Sequence, residues 1–212
     1  MRYATQAALS YATAEHAKYG YPGPEEFAAR LKVRIVPGVE NRASHGPPSF
    51  ITQTPDTYAP RQRFTIFHEL SHILMQRCGL EDDIAAEVDA DDAELHLELV
   101  ANHMAGLFLI PDPVVRHYIR VLDLTPAAVL AIQAAARASF AATIRRVVSA
   151  EGVDPCTIFL TGGSYVLDLA SSDPYNRLSR YDRLPDPLAR YPEAHLLCPP
   201  SRQGTIGVVI AP

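Results

Sequence analysis

Residues 63 to 75 carry a His-Glu-x-x-His pattern made by His68, Glu69 and His72. Side chains four residues apart lie on one face of a helix, so the imidazoles of His68 and His72 point the same way and can bind one metal ion. Glu69 is rotated by about 100° from His68, which brings its carboxylate beside the metal and within reach of a bound water. The pattern therefore predicts a zinc site on a helix.

Apolar residues surround these three polar side chains and predict that the helix is buried. They are Phe64, Ile66, Phe67, Leu70, Ile73, Leu74 and Met75. Buried imidazoles and a carboxylate need strong partners, and a bound cation supplies one. The alternative interpretation is a pair of ordinary core histidines next to an unrelated glutamate.

A second long helix is predicted over residues 93 to 110, where Pro111 ends it. Its apolar residues with helical spacing are Leu95, Leu99, Met104, Leu107 and Phe108. A catalytic zinc takes three protein ligands and keeps a fourth position for water, so a carboxylate is expected to join the two imidazoles. We choose Glu98 as the third ligand, while Glu94, His96 and His103 stay open because spacing does not exclude them.

Composition restricts the class of protein. The chain has 212 residues, 48% of them hydrophobic, and a net charge of −5, so we expect a globular protein without tight autonomous DNA binding. The three cysteines, Cys78, Cys156 and Cys198, have no metal-ligand spacing and are typical of reduced thiols in a cytosol. No stretch reaches the length of a membrane span. We predict a cytoplasmic protein.

The first part of the chain predicts two helices and a small sheet ahead of the metal helix. The helices are expected at 4 to 19 and 24 to 31, the strands at 32 to 36 and 49 to 53, and a loop at 40 to 48. After the metal helix, residues 81 to 94 are strongly acidic and contain no Lys or Arg. We interpret them as a solvated surface. The alternative is that they lie near the mouth of the cleft and attract a basic partner.

The second part predicts helices followed by strands. The helices are expected at 112 to 121, 126 to 136 and 139 to 150, with Thr125 and Ser139 as N-caps. The last two are similar to a helix-turn-helix in which the second helix carries Arg145 and Arg146, although two ordinary packing helices explain the pattern equally well. Strands are predicted at 157 to 161, 165 to 169, 194 to 198 and 205 to 210, with a long loop at 171 to 193.

Two blocks of the sequence resemble the ImmA/IrrE family of bacterial metallopeptidases. Arg61 and the residues from Arg63 to Leu74 are similar to the family's R-x-R-F-T-x-x-H-E-x-x-H block, and the residues from Glu98 to Pro111 are similar to its E-x-x-A-N-x-x-A-x-x-x-L-x-P block. The resemblance covers roughly residues 1 to 150 and implies that Glu98 is the family's glutamate ligand. Ser71 stands where a glycine is common and Met104 where an aromatic residue is frequent, but neither position belongs to the ligands.

The resemblance also implies a fold and a division into domains. We expect an α+β protein with a thermolysin-like minimal zincin domain at 1–121, a helix-turn-helix-like unit at 122–153 and a β-rich module at 154–212. The last module looks like a short form of the family's GAF-like sensor.

The function implied by the resemblance is that of a zinc-dependent endopeptidase, with Mn²⁺ as a possible substitute for Zn²⁺. Its expected substrate is an XRE-family helix-turn-helix repressor, cut at one site so that stress (DNA-damage) or mobile-element genes are switched on. His68, His72 and Glu98 would bind the metal, and Glu69 would act as the general base. The alternative is a non-catalytic, metal-bound regulator that binds a repressor or DNA, for which an intact Glu69 would have no use.

Overall fold

The computed structural model describes residues 3–55, 58–200 and 204–211, which fold into two units, Met1–Pro111 and Asp112–Pro212. The first unit contains α1 (Tyr3–Lys18), α2 (Pro24–Arg30), β1 (Arg34–Pro37), β2 (Arg42–Ser44), β3 (Phe50–Gln53), α3 (Ala59–Arg77), α4 (Glu81–Ala85), a 3-10 turn (Ala90–Asp92) and α5 (Ala93–Leu109). The second contains α6 (Asp112–Leu122), α7 (Pro126–Ala136), α8 (Phe140–Val148), β4 (Cys156–Gly162), β5 (Tyr165–Ser171), α9 (Pro187–Arg190), β6 (His195–Leu197) and β7 (Ile206–Ile210).

The sheet of the first unit has the order β1-β3-β2. β1 runs parallel to β3, and β2 pairs with β3 in the antiparallel direction through Ala43 and Ile51. β2 lies inside the segment 40 to 48 that we predicted as a loop. That prediction was wrong because β2 is short and gains its hydrogen bonds from a strand that follows it in the chain, which local composition does not reveal.

Two long helices, α3 and α5, form the core of the first unit. Ile73, Leu74 and Met75 on α3 and Met104 and Phe108 on α5 are buried. The guanidinium of Arg77 at the end of α3 donates to the carbonyl oxygen of Leu31 at 2.8 Å and to the Ser49 hydroxyl at 3.0 Å. α3 is therefore tied to the chain just before β1 and just before β3.

The acidic segment after α3 is folded rather than a plain loop. It forms α4 and the 3-10 turn, and most of its carboxylates are exposed, as we expected. Glu81 and Glu87 are partly buried, and the Glu87 carboxylate accepts hydrogen bonds from the backbone N–H groups of Ala4 and Thr5 at 2.7 and 3.2 Å. These are among the N–H groups that the first turn of a helix leaves without partners, so Glu87 caps α1.

His16 on α1 is buried among aromatic rings. Its ring centroid lies 4.7 Å from that of Phe27, 5.7 Å from that of Phe67 and 5.0 Å from that of Phe108. Nε2 lies 3.0 Å from the carbonyl oxygen of Pro22, to which the neutral ring can donate. Burial lowers the pKa of His16 below 6.5, and the hydrogen bond to Pro22 opposes the shift only in part.

We expect His16 to make the protein less stable in acid. Its pKa is lower in the folded than in the unfolded chain, so the unfolded state takes up the proton first and stability falls as the pH drops below 6.5. The measurement is the melting temperature of the wild type and of His16→Phe across this pH range. Other histidines titrate in both proteins, so the difference between the two curves reports His16. Parallel curves would contradict the prediction.

The second unit combines the helices α6, α7, α8 and the short α9 with a four-stranded antiparallel sheet of order β5-β4-β7-β6. Thr125 and Ser139 cap α7 and α8 through their side-chain oxygens, as predicted. Gly207 on β7 faces Phe159 on β4, and a Cβ at that position would clash with the Phe159 ring, so only glycine fits. The loop expected at 171 to 193 includes the short helix α9.

Arg146, one of the two arginines of the helix-turn-helix-like pair, is buried and forms an ion pair with Asp112 at the start of α6. Its neighbour Arg145 is exposed. Arg146 therefore holds α8 against α6 and is not available for a DNA phosphate. This arrangement favours the interpretation of α7 and α8 as packing helices.

We expect Arg146→Ala to destabilise the protein by about 2 kcal/mol. The cost arises because Asp112 loses its partner, and it is smaller than for a fully buried pair since Asp112 keeps some contact with water. Urea unfolding followed by circular dichroism measures the change, with Arg145→Ala as the matched control that should have almost no effect. Equal effects of the two substitutions would disprove the assignment.

The α+β class predicted from the sequence is confirmed. The division at residues 121 and 153 remains a prediction, and its outer limits, Met1 and Pro212, lie outside the described residues. Within the described part of the chain, no single helix is long and apolar enough to cross a membrane. α7 and α8 meet that test only as a pair bent by 117°.

Candidate metal centre

The histidines of α3 project from one face of the helix, as their spacing predicts. The Nε2 atoms of His68 and His72 lie 3.2 Å apart. Both side chains are mostly buried, with 16% and 18% of their surface exposed. Burial of the flanking residues Phe67, Leu70 and Ile73 fixes which face of α3 turns toward the core.

Glu98 is brought to this pair by α5, which packs along α3. One carboxylate oxygen lies 3.2 Å from Nε2 of His68 and the other lies 3.3 Å from Nε2 of His72. The Glu98 side chain is 48% exposed, so the group opens to solvent on this side. Two imidazoles and one carboxylate thus converge on a single point that solvent can reach.

The three alternative ligands left open by the sequence do not join this group. Among the described His, Cys, Asp and Glu side chains, only His68, His72 and Glu98 form a set of three or more whose ligand atoms lie within 4.8 Å of one another. His96 instead lies 3.4 Å from Glu87 and 3.3 Å from the Thr5 hydroxyl. Glu94 and His103 are exposed on α5.

The donor atoms fit a tetrahedral metal ion. Zinc–nitrogen bonds of 2.0–2.1 Å in a tetrahedron place two ligand atoms about 3.3 Å apart. The two Nε2 atoms are 3.2 Å apart, and each of them lies 3.2 or 3.3 Å from a different oxygen of the Glu98 carboxylate. The set of two imidazoles and one carboxylate is also typical of catalytic zinc, where the fourth position is left to water.

Glu69 lies next to the cluster and is 7% exposed. Burial, followed by the negative charge of Glu98, raises the pKa of Glu69 to about 7, although a hydrogen bond from the backbone N–H of Ala43 opposes the shift. A carboxyl group with a pKa near neutrality can accept and release a proton at cellular pH.

The electrostatics of His72 favour its neutral form. Burial and the neighbouring His68 lower the pKa of His72, whereas Glu98 and Glu81 act in the opposite direction. A neutral imidazole is the form that binds a metal. The Nδ1 atom of His68 is buried without a hydrogen-bond partner among the described residues, so the polar contacts of this ring are made by Nε2.

Ser71, between Glu69 and His72, is fully buried without disturbing the site. Its hydroxyl donates to the carbonyl oxygen of Phe67 at 2.7 Å, within α3. A serine is therefore accommodated where the resembling family often has glycine. The contact that sequence reasoning missed is the one from Ala43 to Glu69, since it comes from β2 in the segment predicted as a loop.

The fold is similar to that of a solved structure from Mycobacterium tuberculosis, which is described as a transcriptional regulator. The TM-score is 0.58 at 15% sequence identity, and the match covers 96% of this chain and 75% of that chain. At this identity the likeness concerns the fold alone. No curated protein is significantly similar to the chain in sequence.

A family model gives the more specific result. The model of the IrrE N-terminal-like domain, a peptidase family, matches residues 39–147. The match begins before β2, ends in α8 and includes α3 and α5 with all of His68, Glu69, His72 and Glu98. This chain therefore belongs to the IrrE N-terminal-like domain family of peptidases.

Proposed function

We propose that the chain is a zinc-dependent endopeptidase that cleaves an XRE-family helix-turn-helix repressor at a single site and thereby switches on stress (DNA-damage) or mobile-element genes. The observation that carries the proposal is the convergence of His68, His72 and Glu98 beside the buried carboxyl group of Glu69. Membership of a peptidase family supports the same conclusion.

His68 and His72 would hold the metal through Nε2 and Glu98 through its carboxylate. Zinc, when bound, supplies Lewis-acid chemistry that polarises a scissile carbonyl and makes water more acidic. Mn²⁺ would suit the same ligand set, because imidazole and carboxylate do not discriminate strongly between the two ions.

Glu69 performs the proton transfers in this proposal. Its carboxylate takes a proton from the water whose oxygen attacks the scissile carbonyl carbon. The buried carboxyl group keeps that proton and then delivers it to the nitrogen of the leaving amine as the C–N bond breaks. The N–H of Ala43 orients the carboxylate during both transfers.

The architecture we propose for the first unit is that of a thermolysin-like minimal zincin. Its support is a metal-binding helix, α3, packed against a second helix that supplies the glutamate, with a small sheet whose edge strand β2 contacts the general base. An extended substrate would add to the free edge of β2. The β4–β7 sheet is proposed to be a short GAF-like sensor module.

The test is a cleavage assay with the purified protein and the XRE-family repressor encoded nearest to its gene. Zinc, manganese and a chelator are compared on gels, and mass spectrometry locates the cut. We expect one metal-dependent cut in the repressor. Stable complex formation without cleavage under any metal condition would instead support the non-catalytic regulator.

A further inference from the structure

The helix that carries Glu98 exposes two leucines that the sequence pattern assigned to its apolar set. Leu95 is 61% exposed and Leu99 is 57% exposed. The opposite face of α5 is well buried, through Val100, Ala101, Met104, Ala105, Phe108 and Leu109. α5 thus has two large apolar side chains that do not pack in the core of the first unit.

The exposed leucines lie on the same helix as Glu98 and are close to it in the helical sequence. At 100° per residue, Leu95 and Leu99 are rotated from Glu98 by about 60° and about 100° in the same direction. They form a continuous pair one helical turn apart, which we name the leucine shelf. Single exposed leucines are common on protein surfaces, whereas contiguous exposed apolar surface more often marks a binding site.

The surface next to the leucine shelf is negatively charged. The exposed carboxylates that precede it and begin α5 belong to Asp82, Asp83, Asp89, Asp91, Asp92 and Glu94. There is no Lys or Arg from residue 81 to residue 109. In the described part of the chain, no Lys or Arg forms an ion pair with any of these six carboxylates.

We propose that the leucine shelf and these six carboxylates bind the peptidase substrate and select a segment that contains both large apolar side chains and Lys or Arg. The proposal rests on the proposed function and adds the class of substrate sequence to it. The leucines offer apolar contact on the helix that supplies the proposed ligand Glu98, and the carboxylates complement basic side chains. DNA and anionic membranes are repelled by the same charges, which leaves a basic polypeptide as the occupant.

The experiment uses the full chain with zinc and the substitution Glu69→Gln, so that binding is measured without cleavage. Two fluorescein-labelled peptides of equal length are compared by anisotropy, one with leucines flanked by arginines and one with the arginines replaced by glutamates. We expect at least about tenfold tighter binding of the basic peptide, weakening as salt is added. Equal binding, or tighter binding of the acidic peptide, would overturn the proposal.

The shelf itself is tested by Leu95→Ser with Leu99→Ser in the same protein. Loss of the two leucine contacts with the peptide should weaken binding of the basic peptide by about tenfold or more, while the zinc content of the protein stays unchanged. Leu167→Ser is the matched control, since Leu167 is 42% exposed on β5 in the second unit. Unchanged binding of the peptide by the double variant would show that the leucine shelf does not contribute to binding.

The outcome for the proposed function is read separately in the wild type. If the repressor is cut, and is cut equally well by a protein that carries Leu95→Ser and Leu99→Ser with Glu69 intact, only the docking proposal fails. If the repressor is not cut but the peptide preference and its dependence on the leucines hold, the peptidase proposal fails and the binding surface stands.

Discussion

Replacement of Glu69 by Gln is expected to lower the rate of repressor cleavage by roughly 10²- to 10⁴-fold, which is the usual contribution of a general acid–base group. The amide of glutamine has nearly the shape of the carboxyl group but cannot take a proton from water. Glu69 lies outside the set of three converging side chains, so zinc content should not change. The measurement is a time course of cleavage by the wild type and the variant at equal zinc loading.

Glu25→Gln is a suitable control for this prediction. Glu25 is an exposed glutamate in the first turn of α2, and its replacement removes one negative charge without touching the cluster. We expect cleavage at the wild-type rate. A Glu69→Gln protein that cleaves the repressor at the wild-type rate would disprove the assignment of Glu69 as the general base.

Replacement of Glu98 by Ala is expected to weaken zinc binding by more than about 100-fold. Loss of a residue that only supports a ligand already costs 10- to 100-fold in many metal sites, and Glu98 contacts both imidazoles directly. The remaining pair, His68 and His72, would hold zinc poorly. Competition with a chromophoric chelator gives the affinity, and metal analysis after dialysis gives the occupancy.

The matched control is Glu94→Ala, one helical turn earlier on α5, which should bind zinc like the wild type. His96→Ala and His103→Ala complete the comparison, because these residues were the other ligands compatible with spacing. If Glu98→Ala keeps the wild-type zinc affinity and one of these three variants loses it, the residue replaced in that variant is the third ligand.

Local signals in the sequence predicted the elements that depend on neighbours in the chain. Thr125 and Ser139 were recognisable as caps because the side chain of an N-cap bonds a backbone N–H three residues later. His68 and His72 could be paired because four residues are close to one helical turn. The prediction of Glu98 as a ligand needed more than local spacing. It depended on the number of ligands that zinc requires and on the resemblance of the second block to the family.

Contacts between distant segments were beyond the sequence pattern. Nothing near Arg146 indicates that its partner is Asp112, 34 residues earlier. Likewise, helical spacing placed Leu95 and Leu99 in the apolar set of the helix, but it did not indicate that both side chains are exposed. Such mismatches between pattern and burial are expected where a surface has a role other than packing.

The cap that Glu87 provides to α1 has a consequence for how a partner arrives. Because Ala4 and Thr5 bond Glu87, the middle of the acidic segment is tied to the start of α1, which restricts the movement of the carboxylates on either side of it. A fixed field turns an approaching cationic molecule before contact and raises the rate of productive encounter, an effect that falls steeply with ionic strength. For the proposed basic substrate, the hydrogen bonds at the start of α1 therefore help to fix the charge that it meets first.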